Sequence, residues 1–238
     1  MFKQKLRPAI AMIELIFALV IIGITLMSAP MLISTAEKSG YVAIQQEAIN
    51  EAASQLNMVL GYHWDPNTTD ERFLDPILIV SNGSNALDEL NTTANPNTGR
   101  RQGTPSESYR SFIMNSTRLN ATAIPTTGLA TKDDITDFIG DTNLTLIQAS
   151  ASEYVETTTI NINTALKYSP DDTAGGGYNS SSIDYTPFSS LSSGTSNIKT
   201  IIVTLTNPGA VTELNKTIVL RAFSCNIGGY QLEEKDVN

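Results

Sequence analysis

The sequence predicts an α+β fold in which a long N-terminal α-helix packs on an antiparallel β-sheet. Residues 10–33 are almost wholly apolar and carry one charge, Glu14. Residues 34–61 place apolar side chains at three- and four-residue spacing, which is typical of an amphipathic helix. Residues 62–238 hold segments rich in Val, Ile, Leu and Thr between runs of Ser, Asn, Gly and Pro. These alternations predict short strands joined by loops, so we expect a β-rich globular domain there.

The apolar segment 10–33 is long enough to cross a membrane. A helix of that length rises about 36 Å, and a bilayer's hydrocarbon core is about 30 Å thick. Three cations, Lys3, Lys5 and Arg7, precede it, and the next charge is Glu37. The positive-inside tendency then predicts a cytoplasmic N-terminus and places the later chain on the other side of the membrane. An ordinary signal peptide has a shorter apolar region, followed by a cleavage site flanked by small residues. The apolar region of this chain is longer, and no such cleavage site follows it.

The start of this segment resembles a known N-terminal signature. Residues 8–17 read PAIAMIELIF and are similar to the N-terminus of type IV pilin-like proteins, which include the type II secretion pseudopilins. The shared pattern is a basic leader, a small residue before the cleavage site, an apolar residue after it, and Glu at the fifth position of the mature chain. Here the cut falls between Ala9 and Ile10, and Glu14 takes the glutamate position. Ala9 replaces the usual Gly, and Ile10 replaces the usual Phe or Met.

The resemblance implies a pilin-like fold and a structural role. A prepilin peptidase would remove the leader, residues 1–9, and Ile10 would be N-methylated. The helix 10–61 would then assemble the chain into a type IV pilus or a type II secretion pseudopilus, with Glu14 pairing with the amino group of a neighbouring subunit. The implied partners are other pilin or pseudopilin subunits, the prepilin peptidase, the inner-membrane assembly platform and the lipid bilayer. The implied location is the bacterial inner membrane, with residues 62–238 in the periplasm until assembly.

A second hypothesis uses the same segment as an uncleaved membrane anchor for a periplasmic binding or enzymatic domain. It gives Glu14 no special role. The sequence offers little catalytic chemistry, because it has one His and one Cys and no nucleophile, zinc or phosphate-binding motif. We therefore predict that the chain is not an enzyme and needs no cofactor. The net charge of −9 argues against a nucleic-acid partner.

Within the predicted helix, Pro30 removes a backbone donor and predicts a kink. Gly61 is a predicted helix stop. The stripe expected to dock on the globular domain is Tyr41, Ile44, Ala48, Ala52, Leu56 and Val59.

The β-rich part is predicted to contain two hairpins. One joins residues 144–148 to 154–162, and the other joins 198–206 to 216–225. In the second hairpin Ile201, Val203 and Leu205 would share the buried face, with Ile218, Leu220 and Ala222 as the matching buried set. The remaining predictions are a strand or extended segment at 73–80, a strand at 109–114, a short helix at 131–140 with a capping box that starts at Thr131, loops at 81–108 and 169–197, and a mobile tail from 226.

A polar turn after the helix is the one candidate metal site. Asp65, Asn67, Asp70 and Glu71 offer the oxygen ligands that calcium prefers. Their spacing is not that of an EF-hand, and acidic turns are common without a metal. The site is therefore a calcium hypothesis beside the alternative of a solvated turn, and His63 next to it is interpreted as a loop residue.

Overall fold

The computed structural model describes residues 8–68, 75–83, 113–114, 117–149, 155–171, 181, 188–191, 193–207 and 214–229. Within them one long helix, α1, spans Pro8–Leu60. The strands, in chain order, are β1 (Ile113–Met114), β2 (Thr117–Arg118), β3 (Gly140–Ala149), β4 (Val155–Ser169), β5 (Ile198–Thr206) and β6 (Ile218–Cys225). Strands β3, β4, β5 and β6 form an antiparallel sheet in that order, and β1 pairs with β2. The predicted α+β layout of one long N-terminal helix and an antiparallel sheet is confirmed.

Helix α1 is continuous over 53 residues. It begins at Pro8, a position where the missing proline N–H costs no hydrogen bond. It ends at Leu60, where the Gly61 N–H donates to the Met58 carbonyl at 3.0 Å, so the predicted stop is confirmed. Pro30 lies inside the helix without ending it, and the predicted kink stays a prediction.

The second half of α1 docks on the sheet through the predicted stripe. Ile44, Ala48, Ala52 and Val59 are at most 6% exposed, and Tyr41 and Leu56 pack against the same core. Alanine at two of these positions lets the helix axis approach the sheet closely, because no long side chain intervenes. The stripe prediction is confirmed.

The face of the sheet that meets α1 is set by strand periodicity. Ile201, Val203 and Leu205 on β5 are buried. Their partners across the β5–β6 ladder are Ala222, Leu220 and Ile218, the pairs predicted to share the core face. Strand β5 has its predicted bounds, whereas β6 begins two residues later than predicted.

The other predicted hairpin is confirmed as β3 and β4, but both strands are longer than expected. Gly140 pairs with Thr164 at one end of the β3–β4 ladder, and Ser169 pairs with Ile198 at the end of the β4–β5 ladder. Strand β4 extends past Thr164, the last of its residues to pair with β3, because β5 pairs with it as far as Ser169.

The segment 75–83 is extended but lies outside the four-stranded sheet. Leu78 is buried, and its backbone exchanges two hydrogen bonds with the Asn226 side chain, at 2.9 Å and 2.7 Å. Ile79 makes an isolated parallel bridge with Asn120. Residues 75–80 are the described part of the segment predicted at 73–80.

The short helix predicted over 131–140 is a 3-10 turn, Ile135–Phe138. The predicted cap is wrong by three positions, because Asp134 is the N-cap residue and Asp137 closes the capping box. Gly140 follows with φ +138°, a backbone angle that favours glycine, and starts β3.

Two predicted loop assignments are corrected. Ser196 and Asn197, expected in a mobile loop, are buried, and Ser169 belongs to β4. Asn226, expected at the start of a mobile tail, is buried against Leu78. Most of the predicted loop 81–108 and of the strand 109–114 lies outside the described residues, apart from 81–83 and β1.

Candidate functional site

The first half of α1 is exposed along its whole described length. Every residue from Ala11 to Ser39 is exposed. The large apolar side chains there range from 52% exposed at Val20 to 82% at Met27. This helix is long and apolar enough to cross a membrane, with a mean hydropathy of 2.5 in its most apolar window. A surface this apolar needs a lipid or protein environment, because water would otherwise contact it along its whole length.

Glu14 is exposed, and it is the one charged residue of α1 before Glu37. It lies one helical turn after Ile10, so its carboxylate is placed on the side of the helix that leads back to that residue. The predicted cleavage site between Ala9 and Ile10 falls inside the first turns of α1, for which the backbone alone is described. A carboxylate at this position costs about 3 kcal/mol on insertion scales unless it finds a partner.

The hydroxyl groups of the apolar half are satisfied by the helix itself. Thr25 donates to the Ile21 and Ile22 carbonyls at 3.0 Å and 2.9 Å. Thr35 donates to the Met31 carbonyl at 2.8 Å. These bonds let polar residues lie in hydrocarbon without unsatisfied donors, as a membrane helix requires.

The candidate calcium turn is only partly described, and its first residue is already bound. Asp65 is fully buried, and its Oδ2 lies 2.9 Å from Lys199 Nζ. Asn67 donates its side-chain amide to the Asn120 carbonyl at 2.8 Å. Asp70 and Glu71 lie outside the described residues. A calcium ion would have to displace Lys199 to reach Asp65, and the site stays a prediction.

Lys199 was missed by sequence reasoning and is the most deeply buried cation of the described residues. Besides Asp65, its ammonium donates to the Trp64 carbonyl at 2.7 Å and lies 4.2 Å from the centre of the Trp64 ring. Burial lowers the pKa of Lys199, and the Asp65 carboxylate acts in the opposite direction. Strand periodicity could have found it, since Lys199 shares its face of β5 with Ile201 and Val203.

The Asp65 carboxylate is held from several sides. Its Oδ2 accepts from the Thr122 N–H and from the Thr122 hydroxyl, both at 3.0 Å. Its Oδ1 accepts from the Asn67 N–H at 3.1 Å. The Tyr168 hydroxyl in turn donates to the Thr122 carbonyl at 2.6 Å, which fixes Thr122 in place. The pair is thus enclosed by fully hydrogen-bonded neighbours.

A cluster of three aspartates lies beside this pair. Carboxylate oxygens of Asp133, Asp134 and Asp137 come within 4.8 Å of one another. Asp137 accepts from the N–H groups of Asp133 and Asp134 at 3.1 Å and 3.2 Å, and Asp134 accepts from Thr136 N–H at 2.6 Å. The cluster therefore caps the 3-10 turn.

These contacts shift the carboxyl pKa values in opposite directions. Burial raises the pKa of Asp134. A hydrogen bond shared with the Asp137 side chain raises the pKa of Asp133. Burial works against ionised Asp137, but the hydrogen bonds from the backbone of Asp133 and Asp134 outweigh it and lower the pKa of Asp137.

His63 lines a cavity of about 280 Å³ at the end of α1. Its Nδ1 lies 2.9 Å from an Asp75 carboxylate oxygen. Other lining residues are Tyr62, Trp64, Cys225 and Gly228. The pairing of His63 with Asp75 joins the end of α1 to the extended segment 75–83, which is a structural task for the one histidine of the chain.

In comparisons with family models, with curated proteins and with solved structures, nothing matches this chain.

Proposed function

We propose that this chain is a structural subunit of a membrane-anchored helical filament of the type IV pilin class, either a pilus or a type II secretion pseudopilus. The observation that carries the proposal is the division of α1 into two halves. Residues 41–59 supply the stripe that packs on the sheet, whereas every residue from 11 to 39 is exposed. A free apolar helix fused to a folded domain supports storage in the bilayer and later packing against equivalent helices.

Glu14 gives the proposal its specific chemistry. Leader removal would leave an α-amino group on Ile10 that is cationic at neutral pH. A cation at a helix N-terminus opposes the helix dipole, whereas a carboxylate in the first turn favours it. Pairing between Glu14 of one subunit and the Ile10 amine of the next would neutralise both charges in hydrocarbon and fix the axial register of the filament.

The proposal implies an order of processing and assembly steps. Prepilin peptidase cuts between Ala9 and Ile10, Ile10 is N-methylated, and the assembly platform of the inner membrane lifts the subunit from the bilayer into the filament. The domain after residue 61 lies in the periplasm before assembly. Its task is structural, so the proposal includes no enzymatic activity and no cofactor.

Processing and assembly are tested separately. Mass spectrometry of the mature N-terminal peptide should find N-methyl-Ile10. An intact leader in cells with active prepilin peptidase would count against the family assignment. For assembly, Glu14→Ala and Glu14→Gln should insert and lose the leader like the wild type but be depleted from sheared filaments.

The matched control is Glu51→Gln, which removes an exposed carboxylate from the docked half of the same helix. It should enter filaments at the wild-type level. Normal incorporation of both Glu14 variants at equal expression would show that Glu14 is not an assembly contact. A simple membrane anchor would then be the better interpretation of α1.

A further inference from the structure

The pair formed by Lys199 and Asp65 brings together the two groups that a condensation reaction joins. A primary amine and a carboxyl group are held at 2.9 Å, and both side chains are fully buried. They come from positions 134 residues apart, one in the turn after α1 and the other on β5. Taking two charges out of water costs several kcal/mol per ion. Conversion of the pair to a neutral amide would remove both charges without moving either side chain far.

We propose that Lys199 and Asp65 form an intramolecular isopeptide bond, with Asp134 exchanging the protons that the reaction moves. The linkage would join Nζ of Lys199 to Cγ of Asp65. It is independent of the proposed filament role, because it requires only the folded domain.

The surroundings favour the neutral amine that attack requires. Lys199 Nζ lies 4.2 Å from the Trp64 ring centre and 5.5 Å from that of Tyr168, so aromatic side chains replace water around it. Burial lowers the pKa of Lys199 and raises that of Asp134. Burial thus disfavours the charged form of Lys199.

The bond changes balance without an oxidant or a reductant. In the neutral form of the pair, Lys199 is an amine, and Asp65 is a carboxylic acid with its proton on Oδ1. The nitrogen lone pair attacks Cγ and forms the C–N bond, which gives a tetrahedral intermediate with negative charge on Oδ2. The Asp134 carboxylate takes one proton from the nitrogen and passes a proton to Oδ1. The bond from Cγ to Oδ1 then breaks, the carbonyl reforms, and one water molecule leaves.

Hydrogen-bond donors already lie where charge develops. The Thr122 N–H and hydroxyl both point at Oδ2 from 3.0 Å, as donors do in an oxyanion hole. After condensation the amide keeps one N–H, and the Trp64 carbonyl, now 2.7 Å from Nζ, would accept it. Both the intermediate and the product therefore find partners in the existing structure.

Asp134 is the carboxyl best suited to move the protons. It is 1% exposed, and its negative charge raises the pKa of Lys199 against the larger effect of burial, so the two groups interact through the protein interior. Its backbone forms a bridge with His63, two residues before Asp65, which keeps it beside the reacting pair. The product would tie the end of α1 covalently to the central sheet.

Intact mass decides the proposal. The full-length protein, extracted in detergent and then denatured, should be lighter by one water molecule than its sequence and N-terminal processing require. Tandem mass spectrometry should find a branched peptide that contains Asp65 and Lys199. Lys199→Arg and Asp65→Ala should have the unreduced mass, whereas Lys167→Arg, a lysine on the opposite face of the sheet, should show the loss.

Asp134→Asn tests the proton exchange, because Asn can still cap Thr136. After a pulse of synthesis, this variant should link at least tenfold more slowly than the wild type, and the wild-type rate should depend on pH. An unreduced mass in wild-type protein that unfolds cooperatively would overturn the proposal. Loss of water that persists in Lys199→Arg would also overturn it, because a cyclised aspartate would then be the cause.

Discussion

Lys199 Nζ and Asp65 Oδ2 lie 2.9 Å apart with both side chains fully buried, which joins the turn after α1 to the centre of the sheet. The contact spans 134 residues of sequence. It fixes the turn that follows the helix against β5.

The first prediction concerns this pair. Compared with wild-type protein in which the pair is unlinked, Lys199→Met should lower the free energy of unfolding by about 3–5 kcal/mol, because it leaves a buried carboxylate without its cation. Trp64 is the one tryptophan of the chain and lies under the Lys199 ammonium, so its fluorescence during urea unfolding reports on the site directly. Lys167→Met, a half-buried lysine on the other face of β4, should change stability by no more than about 0.5 kcal/mol.

A double variant separates pairing from simple loss of packing. Asp65→Leu combined with Lys199→Met should be less destabilised than the sum of the two single variants by about 1 kcal/mol or more, because neither charge is then left alone. Additive effects would show that the two side chains do not stabilise one another.

The second prediction concerns the contact between α1 and the sheet. Ala52 is fully buried in the docking stripe, so Ala52→Leu inserts a large side chain where no space exists. We expect a loss of about 1–3 kcal/mol in the free energy of unfolding. Ala43→Leu makes the same change at an exposed position of the same helix and should leave stability nearly unchanged. Equal effects of both variants would contradict the observed docking face.

The third prediction concerns pH. Asp137 accepts two backbone hydrogen bonds, and its pKa is lowered in the folded state from the usual 3.8. A lowered folded-state pKa means that ionised Asp137 contributes stability above the unfolded value and loses it as pH falls through the folded one. Asp137→Asn should therefore cost about 1–2 kcal/mol at neutral pH, in the range of hydrogen bonds to charged groups.

That cost should shrink as the pH falls below 3.8, because the wild type then loses the same charge. Urea unfolding at neutral pH and near the acid limit of stability measures the difference. Asp141→Asn, an exposed carboxylate on β3, is the control and should show a smaller effect at both pH values. If Asp137→Asn lowers the free energy of unfolding by the same amount at both pH values, the charge of Asp137 does not contribute to the stability of the cap.

Features with a short sequence period were predicted well. The stripe of α1 and the alternating face of β5 depend on residues a few positions apart, so side-chain pattern and element coincide. Strand β4 was predicted too short. Thr164, Leu166 and Tyr168 continue the alternation past residue 162, so the same pattern would have extended the prediction.

The acidic turn shows why a candidate site is harder to predict than an element. Asp65 looked like an exposed oxygen ligand because its neighbours in sequence are polar. Its partner, Lys199, belongs to a residue type that is almost never fully buried unless it is paired. Neither residue predicts the other, because the contact forms only after the sheet and the helix have packed.

Local periodicity and the burial of apolar surface are enough to predict the apolar half of α1, the amphipathic half that follows, and the strands whose alternation is regular. The tertiary structure alone decided that Lys199 meets Asp65, that Asn226 holds Leu78, and that Asp134 rather than an earlier residue caps the 3-10 turn. Those contacts satisfy buried polar groups, and a buried polar group finds its partner only when packing has excluded water from both.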